Sequence, residues 1–151
     1  MKPNPTLIRR AEVSDLQAVV PLFDAYRQFY QQASDLVAAR SFLQARLEQR
    51  DSVIFVAEID FRSAGFTQLY PSFSSVSMKR LWILNDLFVH PDYRRRGVGR
   101  ALLTAAEEFA RGDGAKGLSL ATAKSNAVAK AAYAAAGWKQ DLAFDHHYLY
   151  F

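Results

Sequence analysis

Arg94, Arg95, Arg96 and Arg100 interleave with Gly97, Val98 and Gly99, just where Val98, Ala101, Leu102, Ala105 and Phe109 take up helical spacing. The first turn of a helix leaves about four backbone N–H groups without acceptors, and the helix dipole adds positive charge there. Guanidinium groups gathered on the same residues point to a multiply charged phosphate ligand. Gly97 and Gly99 let the backbone approach it without an intervening Cβ. Two phosphate loops are excluded. A P-loop needs a lysine and a hydroxyl residue that do not follow Gly99, and the dinucleotide fingerprint needs a glycine where Leu102 stands. The alternative is an exposed basic turn that only opens the helix.

Asp86 interrupts the apolar run Leu81–Val89, where desolvation would raise its proton affinity and make it a proton acceptor. Pairing with a structural arginine is the other reading. Asn126 and Tyr133 are seven residues apart in an alanine-rich segment, so they share nearly one helix face. The small alanines between them, Ala129 included, leave room for a thin ligand. A cap and a buried tyrosine would explain the same residues structurally. Glu58 is a weaker base candidate. His146 and His147 are adjacent, so on a strand at most one faces a pocket. There is no cysteine, which excludes disulfides, thiolate zinc sites and a cysteine nucleophile. Gly117-Leu118-Ser119-Leu120-Ala121 lacks the final glycine of a nucleophile elbow, and no helix pattern follows it directly.

The elements that must position these groups are legible in order. Thr6 to Arg10 reads as a short strand, and Ser14 to Gln17 as a capping box opening a helix that Pro21 should kink. A second helix runs from about Asp35 to Gln49. Tyr26, Phe29 and Tyr30 are core or lid aromatics, or else wall an acceptor pocket beside the helix pair. Strands follow at Ser52–Ile59 and Ala64–Ser74, with Pro71 expected at an edge or bulge. A polar connection over 72–79 leads into Leu81–Val89, closed by Pro91. After the loop helix come Gly112-Asp113-Gly114 as a stop, a short strand over 117–123, and a helix capped by Ser125 or Asn126 and ended by Gly137. The aromatic segment Phe144–Phe151 reads as a last strand that should be buried in the sheet or against a second subunit.

The chain has 151 residues, 50% of them hydrophobic, which suits one globular domain over residues 1–151, since a chain of this size buries roughly 70% of its unfolded surface. No apolar run reaches the ~18 residues of a membrane span and no signal-peptide core opens the chain, so a cytoplasmic protein is expected. A net charge of +4 could suit nucleic acid, but the one dense basic cluster is already explained by phosphate binding.

The succession of strand Leu87-Phe88-Val89, the loop Arg94-x-x-Gly97-x-Gly99, helix, strand, then Asn126, Tyr133 and Gly137-Trp138 resembles the later motifs of the GCN5-related N-acetyltransferase (GNAT) superfamily. The resemblance covers about residues 81–138; residues 1–80 match only in element order. It implies an α/β (α+β) fold: a mixed, mostly antiparallel sheet of about seven strands, splayed at a cofactor cleft, with about four helices on its two faces. It also implies acetyl-coenzyme A as cosubstrate. The backbone of Leu87, Phe88 and Val89 would pair with the pantetheine arm and Arg95 to Arg100 would wrap the pyrophosphate. Asn126, with Ala129 beside it, would hold the arm or phosphate from the other side, and Tyr133 would stand by the sulfur.

Without cysteine or a placed serine, direct attack of an amine on the thioester is favoured over an acyl-enzyme. A phenol with an ordinary pKa of about 10 stays protonated at neutral pH and can protonate a departing thiol of pKa roughly 8.5, so Tyr133 is the general-acid candidate and Asp86 the base. Some polyamine acetyltransferases of the superfamily carry glutamate where this chain has Asn85. The expected protein is therefore an N-acetyltransferase for a primary amine of a small molecule or peptide, and a homodimer, with no membrane or nucleic-acid partner. A silent coenzyme A sensor on the same fold and a basic nucleic-acid-binding domain are the rivals.

Overall fold

The computed structural model describes residues 4–151, in two compact units, residues 4–121 and 122–151. In the first, alternating apolar strands line up as β1 (Leu7–Arg10), β2 (Val53–Ile59), β3 (Arg62–Ser74), β4 (Lys79–Val89) and β5 (Gly117–Ser119), in that spatial order. The first four pair antiparallel and β5 joins β4 in parallel. Helices α1 (Leu16–Phe29) and α2 (Leu36–Gln49) cover one face and α3 (Val98–Gly112) the other.

Period-two alternation divides the core between these faces. Ile54, Val56, Phe66 and Phe88 pack under α1 and α2, through Leu16, Val19, Phe23 and Leu43. Phe55, Ala57, Ile59, Leu87 and Val89 point to the other face, where Val98 and Leu102 of α3 meet them. β3 continues beyond the start of β2, which it last meets at Val53↔Leu69, so Pro71 sits on a locally open edge where its missing N–H breaks no ladder with β2. The expected capping box lies elsewhere: a 3-10 turn at Val13–Asp15 precedes α1, and the Glu12 N–H donates to the Asp15 carboxylate at 2.7 Å, displacing Ser14 from the capping role. Helix α1 runs unbroken past Pro21, which is exposed.

The buried carboxylate of Asp24 joins the helix pair. It accepts from Gln28 Nε2 (3.0 Å), Ser34 Oγ (2.7 Å) and the Asp35 N–H (2.8 Å), while Asp35 caps α2 through the Ala38 N–H. Those donors hold its pKa below the ordinary carboxylate value.

In the second unit, α4 (Ala127–Ala135) starts on Asn126 and ends as a Schellman turn. The Trp138 N–H donates to the Tyr133 carbonyl and the Gly137 N–H to that of Ala134, both at 3.0 Å, and the Trp138 ring lies 6.0 Å from that of Tyr133.

Two expectations about strands are corrected. Among the described residues the sheet has five strands, not about seven, and β5 stops at Ser119 rather than continuing to 123. The segment 144–151 forms no strand, and Phe144, Tyr148, Leu149, Tyr150 and Phe151 are exposed in the single chain. Its residues show the i, i+2 alternation of extended chain, with Tyr148 and Tyr150 stacked 6.0 Å apart, but no ladder partner converts that into a strand.

Candidate active site

The two neighbours of β4 treat it differently. β5 pairs with it only from Leu81 to Ile83, so from Leu84 onward that edge of β4 has no strand beside it. On the other side the register jumps from Gln68↔Asp86 to Leu69↔Leu84, leaving Asn85 as an extra residue in a bulge. The bulge and the open edge coincide.

Asp86, 3% exposed, sits at this point. Its Oδ2 accepts from Gln68 Nε2 at 2.6 Å and its Oδ1 from Asn85 Nδ2 at 3.0 Å. The Tyr26 hydroxyl donates to the Asn85 carbonyl at 3.3 Å and lies close enough to stabilise the same carboxylate. Burial pushes the Asp86 pKa upward, and the hydrogen bonds from Gln68, Tyr26 and Asn85 only partly oppose it. The alternative reading, an arginine partner, is not met: amides and a phenol surround this group, and among the described residues no cation is paired with it. Gln68 is fully buried and its Oε1 has no partner, so a protonated Asp86 can donate to it once the amide turns over. Both protonation states are thus provided for.

Burial raises the pKa of Tyr26 first, and the Asp86 charge adds to it; Tyr70 is raised by the same two causes in the same order. These phenols remain protonated at any physiological pH, and that of Tyr26 stays a hydrogen-bond donor. Gln68 and Tyr70 were missed in the sequence, where they read as ordinary members of an apolar strand. The available signal was a polar residue, Gln68, embedded in that run as Asp86 is in its own.

The arginine-rich turn follows β4 directly. His90 to Tyr93 make a 3-10 turn, Arg95 and Gly97 take positive φ angles of 62° and 78°, and Gly97 is the N-cap residue of α3. The first hydrogen bond of the helix runs from the Ala101 N–H to the Gly97 carbonyl at 3.0 Å. The backbone N–H groups of Arg95, Arg96, Gly97, Val98, Gly99 and Arg100 find no acceptor among the described residues. Such successive N–H groups around left-handed residues form an anion-binding concavity. Arg94, Arg95, Arg96 and Arg100 are exposed around it. Arg94 is partly committed: its Nε donates to the Val89 carbonyl at 3.1 Å and its guanidinium lies 5.8 Å from the Phe88 ring centre. Val98 and Phe88 are buried in the two cores, at 1% and 7% exposure, and can offer a ligand only backbone.

The remaining candidates fall elsewhere. Asn126 Oδ1 accepts from the Ala129 N–H at 3.1 Å, so the cap uses that acceptor and that donor, leaving the Asn126 amide N–H groups for a ligand. Tyr133 is half-buried beside Trp138. Both belong to the second unit. Glu58 is taken by Arg9, which also binds Asp15, each at 2.7 Å. His146 lies 3.6 Å from Asp141 and both histidines are exposed. An open groove of about 600 Å³ between β1, β2 and α3 is lined by Arg10, Phe55, Ala101 and Phe109 among others and touches none of the candidate residues, so cavity size does not locate the chemistry here.

Residues 17–138 match the acetyltransferase (GNAT) family. An N-acetyltransferase of uncharacterised activity from Bacillus subtilis, YhfO, is 53% identical over 142 residues, covering 94% of this chain and 95% of that one. A crystal structure of a probable acetyltransferase superposes with a TM-score of 0.92 at 40% identity, over 96% of this chain and 97% of the other. An aminoglycoside N(6')-acetyltransferase of Klebsiella aerogenes is 31% identical over 101 residues, 66% of each chain. With this likeness added to the bulged, splayed β4 and the arginine loop behind it, the chain belongs to the GNAT family of N-acetyltransferases, enzymes that move an acetyl group onto an amine.

Proposed function

We propose that the acetyl donor is acetyl-coenzyme A, that the acceptor is a primary amine of a small molecule or peptide, and that transfer is a direct attack within a ternary complex. The observation that carries this reading is the run of unpaired N–H donors from Arg95 to Arg100, ringed by arginines, at the end of a strand whose outer edge opens after Ile83. A diphosphate matches that donor set in charge and in hydrogen-bonding capacity. The open edge along Leu87, Phe88 and Val89 suits an amide-bearing arm laid down as an extra strand.

When bound, the coenzyme supplies an acetyl group activated as a thioester. Asp86 takes the proton that the amine nitrogen loses as its bond to the acyl carbon forms, and Tyr133 gives its proton to sulfur as the carbon–sulfur bond breaks. The carboxyl proton passes to water and the phenolate recovers one, leaving an amide and a free thiol. Backbone N–H groups beside the bulge polarise the carbonyl. The Asn126 amide, with the Ala129 N–H bonded to its oxygen, is the further holder of the donor that the family resemblance assigns.

The aminoglycoside enzyme among the relatives supports a small-molecule amine as acceptor. One acetyltransferase domain over residues 1–151 is supported by a family match that runs through both compact units. We place the protein in the cytoplasm as a homodimer. No helix among the described residues is long and apolar enough to cross a membrane, and the exposed Leu142, Phe144, Leu149 and Phe151 offer apolar surface for a second copy.

Thiol release over a panel of amines, with calorimetric binding of acetyl-coenzyme A, tests the reading. Tyr133→Phe is expected to lower kcat by about 10²–10⁴-fold with cofactor affinity unchanged. A chain that neither binds the coenzyme nor releases thiol refutes the reaction, and a Tyr133→Phe enzyme as fast as its parent removes the acid role from that residue. A monomer in sedimentation removes the dimer.

A further inference from the structure

The α1 side of the site carries a ladder of aromatic rings. Tyr26 packs edge-on against Phe66 and Phe88, at 5.9 and 6.5 Å between ring centres, with its hydroxyl at the Asn85 bulge. Tyr30 stands 5.1 Å from Tyr26, and Phe29 5.3 Å from Tyr30. Exposure rises along the ladder, from a half-buried Tyr26 to Tyr30 at 47% and Phe29 at 57%. It is a track leading from Asp86 to solvent, walled by rings rather than by carboxylates.

The other carboxylates of α1, α2 and the turn after α2 keep their charge but are engaged in structural hydrogen bonds or an ion pair. Asp24 accepts three hydrogen bonds between α1 and α2, Asp35 caps α2, Glu48 accepts from Gln44 and Asp51 is paired with Arg46 at 2.7 Å. Arg27, on the same stretch of α1, bonds to the Ala33 carbonyl and adds positive charge. Asp86, with Tyr26 and Tyr70 beside it, is the carboxylate at the inner end of the ladder.

We infer that the acceptor is a primary amine bearing a single positive charge and an aromatic body, its nitrogen at Asp86 and its ring along Tyr26, Tyr30 and Phe29. This rests on the transferase reading given above and goes beyond it in naming the acceptor class. Aromatic faces attract one ammonium and stack an apolar body. A second or third ammonium would be desolvated against the rings, where the neighbouring carboxylates are already engaged in structural bonds. Polyamines and aminoglycosides are therefore poor acceptors for this chain.

The test is steady-state acetylation of phenethylamine, butylamine, spermidine and kanamycin by the intact protein, with acetyl-coenzyme A binding measured in parallel. Phenethylamine is expected to exceed spermidine and kanamycin in kcat/KM by about tenfold to a hundredfold, the worth of one unpaired ammonium. Tyr30→Ala and Phe29→Ala, both at exposed positions, should each raise KM for phenethylamine by about threefold to tenfold at unchanged kcat, while leaving butylamine within about twofold. Preference for spermidine or kanamycin overturns the inference while leaving the transferase standing. So does an equal loss for every amine in the two variants, which is the signature of a structural role or of a surface meant for a second copy. Acetyl-coenzyme A binding without turnover of any amine overturns both readings together.

Discussion

Replacing Asp86 with asparagine removes a proton acceptor while keeping its shape, and the surroundings set what that costs. In the parent protein the carboxylate is 3% exposed and bonded to Gln68 Nε2 and Asn85 Nδ2. An asparagine keeps an oxygen for Asn85 and presents an N–H₂ to Gln68, whose unpartnered Oε1 can accept it once that amide turns. One buried charge is lost, and the turned Gln68 amide leaves its Nε2 rather than its Oε1 without a partner, so the number of orphaned groups is unchanged. The variant should therefore be as stable as the parent or more so, by about 0–1 kcal/mol, or up to roughly 4 °C in Tm.

The pH dependence has a definite sign. The folded pKa of Asp86 lies above its unfolded value of about 3.9, so the folded parent holds this proton more tightly than the unfolded chain does. Its stability is highest below the unfolded pKa and declines as pH rises through the folded one, a decline the asparagine variant lacks, so the difference between them widens with pH. Activity should fall by about 10²–10⁴-fold, the worth of a positioned base, and the lower limb of the kcat/KM profile should disappear. Thermal unfolding from pH 4 to 8, with thiol release over the same range, reads both effects. An Asp86→Asn enzyme with parental kcat/KM and an unchanged profile would refute the base assignment, and a Tm lower by 5 °C or more would refute the argument from burial.

Two further substitutions probe the frame that holds the site. A Cβ on Gly65 would lie 2.6 Å from the Phe88 carbonyl oxygen and 3.3 Å from Val89 Cα, so Gly65→Ala must push β3 and β4 apart. The expected cost is roughly 2–4 kcal/mol, read as a Tm lower by about 5–15 °C, with weaker coenzyme binding because the displaced backbone is that of Phe88 and Val89. Asp24→Ala leaves Ser34, Gln28 and the Asp35 N–H without their shared acceptor and should destabilise by about 1–3 kcal/mol, toward the low end because the group lies just under the surface. Its folded pKa is depressed, so the stabilisation is present above the unfolded value near 4 and is lost as pH falls through the folded pKa. The gap between parent and variant in urea should accordingly close on acidification; a gap that is constant from pH 7 to 3 contradicts the charge argument.

Much of this molecule was readable along the chain because its signals are local. A phosphate loop is a contiguous arrangement: arginines, a left-handed Gly97 and the first turn of α3 are neighbours in sequence, so charge and unpaired N–H groups coincide whatever the rest of the chain does. The α4 cap and stop are equally local, and Asn126, Gly137 and Trp138 take the positions their types favour. The aromatic end of the chain misled for the opposite reason. Alternating tyrosines and phenylalanines show that a segment is able to be a strand, but a ladder needs a partner, and 144–151 has none among the described residues.

What sequence alone determined, then, was the arginine- and glycine-rich turn that opens α3, the order of the elements and the suspicion attached to a lone acid in an apolar strand. Tertiary structure decided what surrounds that acid. Gln68 reaches Asp86 because the register of β3 on β4 places them opposite, the Asn85 bulge depends on the same pairing, and Tyr26 and Tyr70 arrive from a helix and a strand far away along the chain. A carboxylate's proton affinity depends on how far water is excluded and which donors stand within about 3 Å, and both are properties of chain segments folded together rather than of residues in a row.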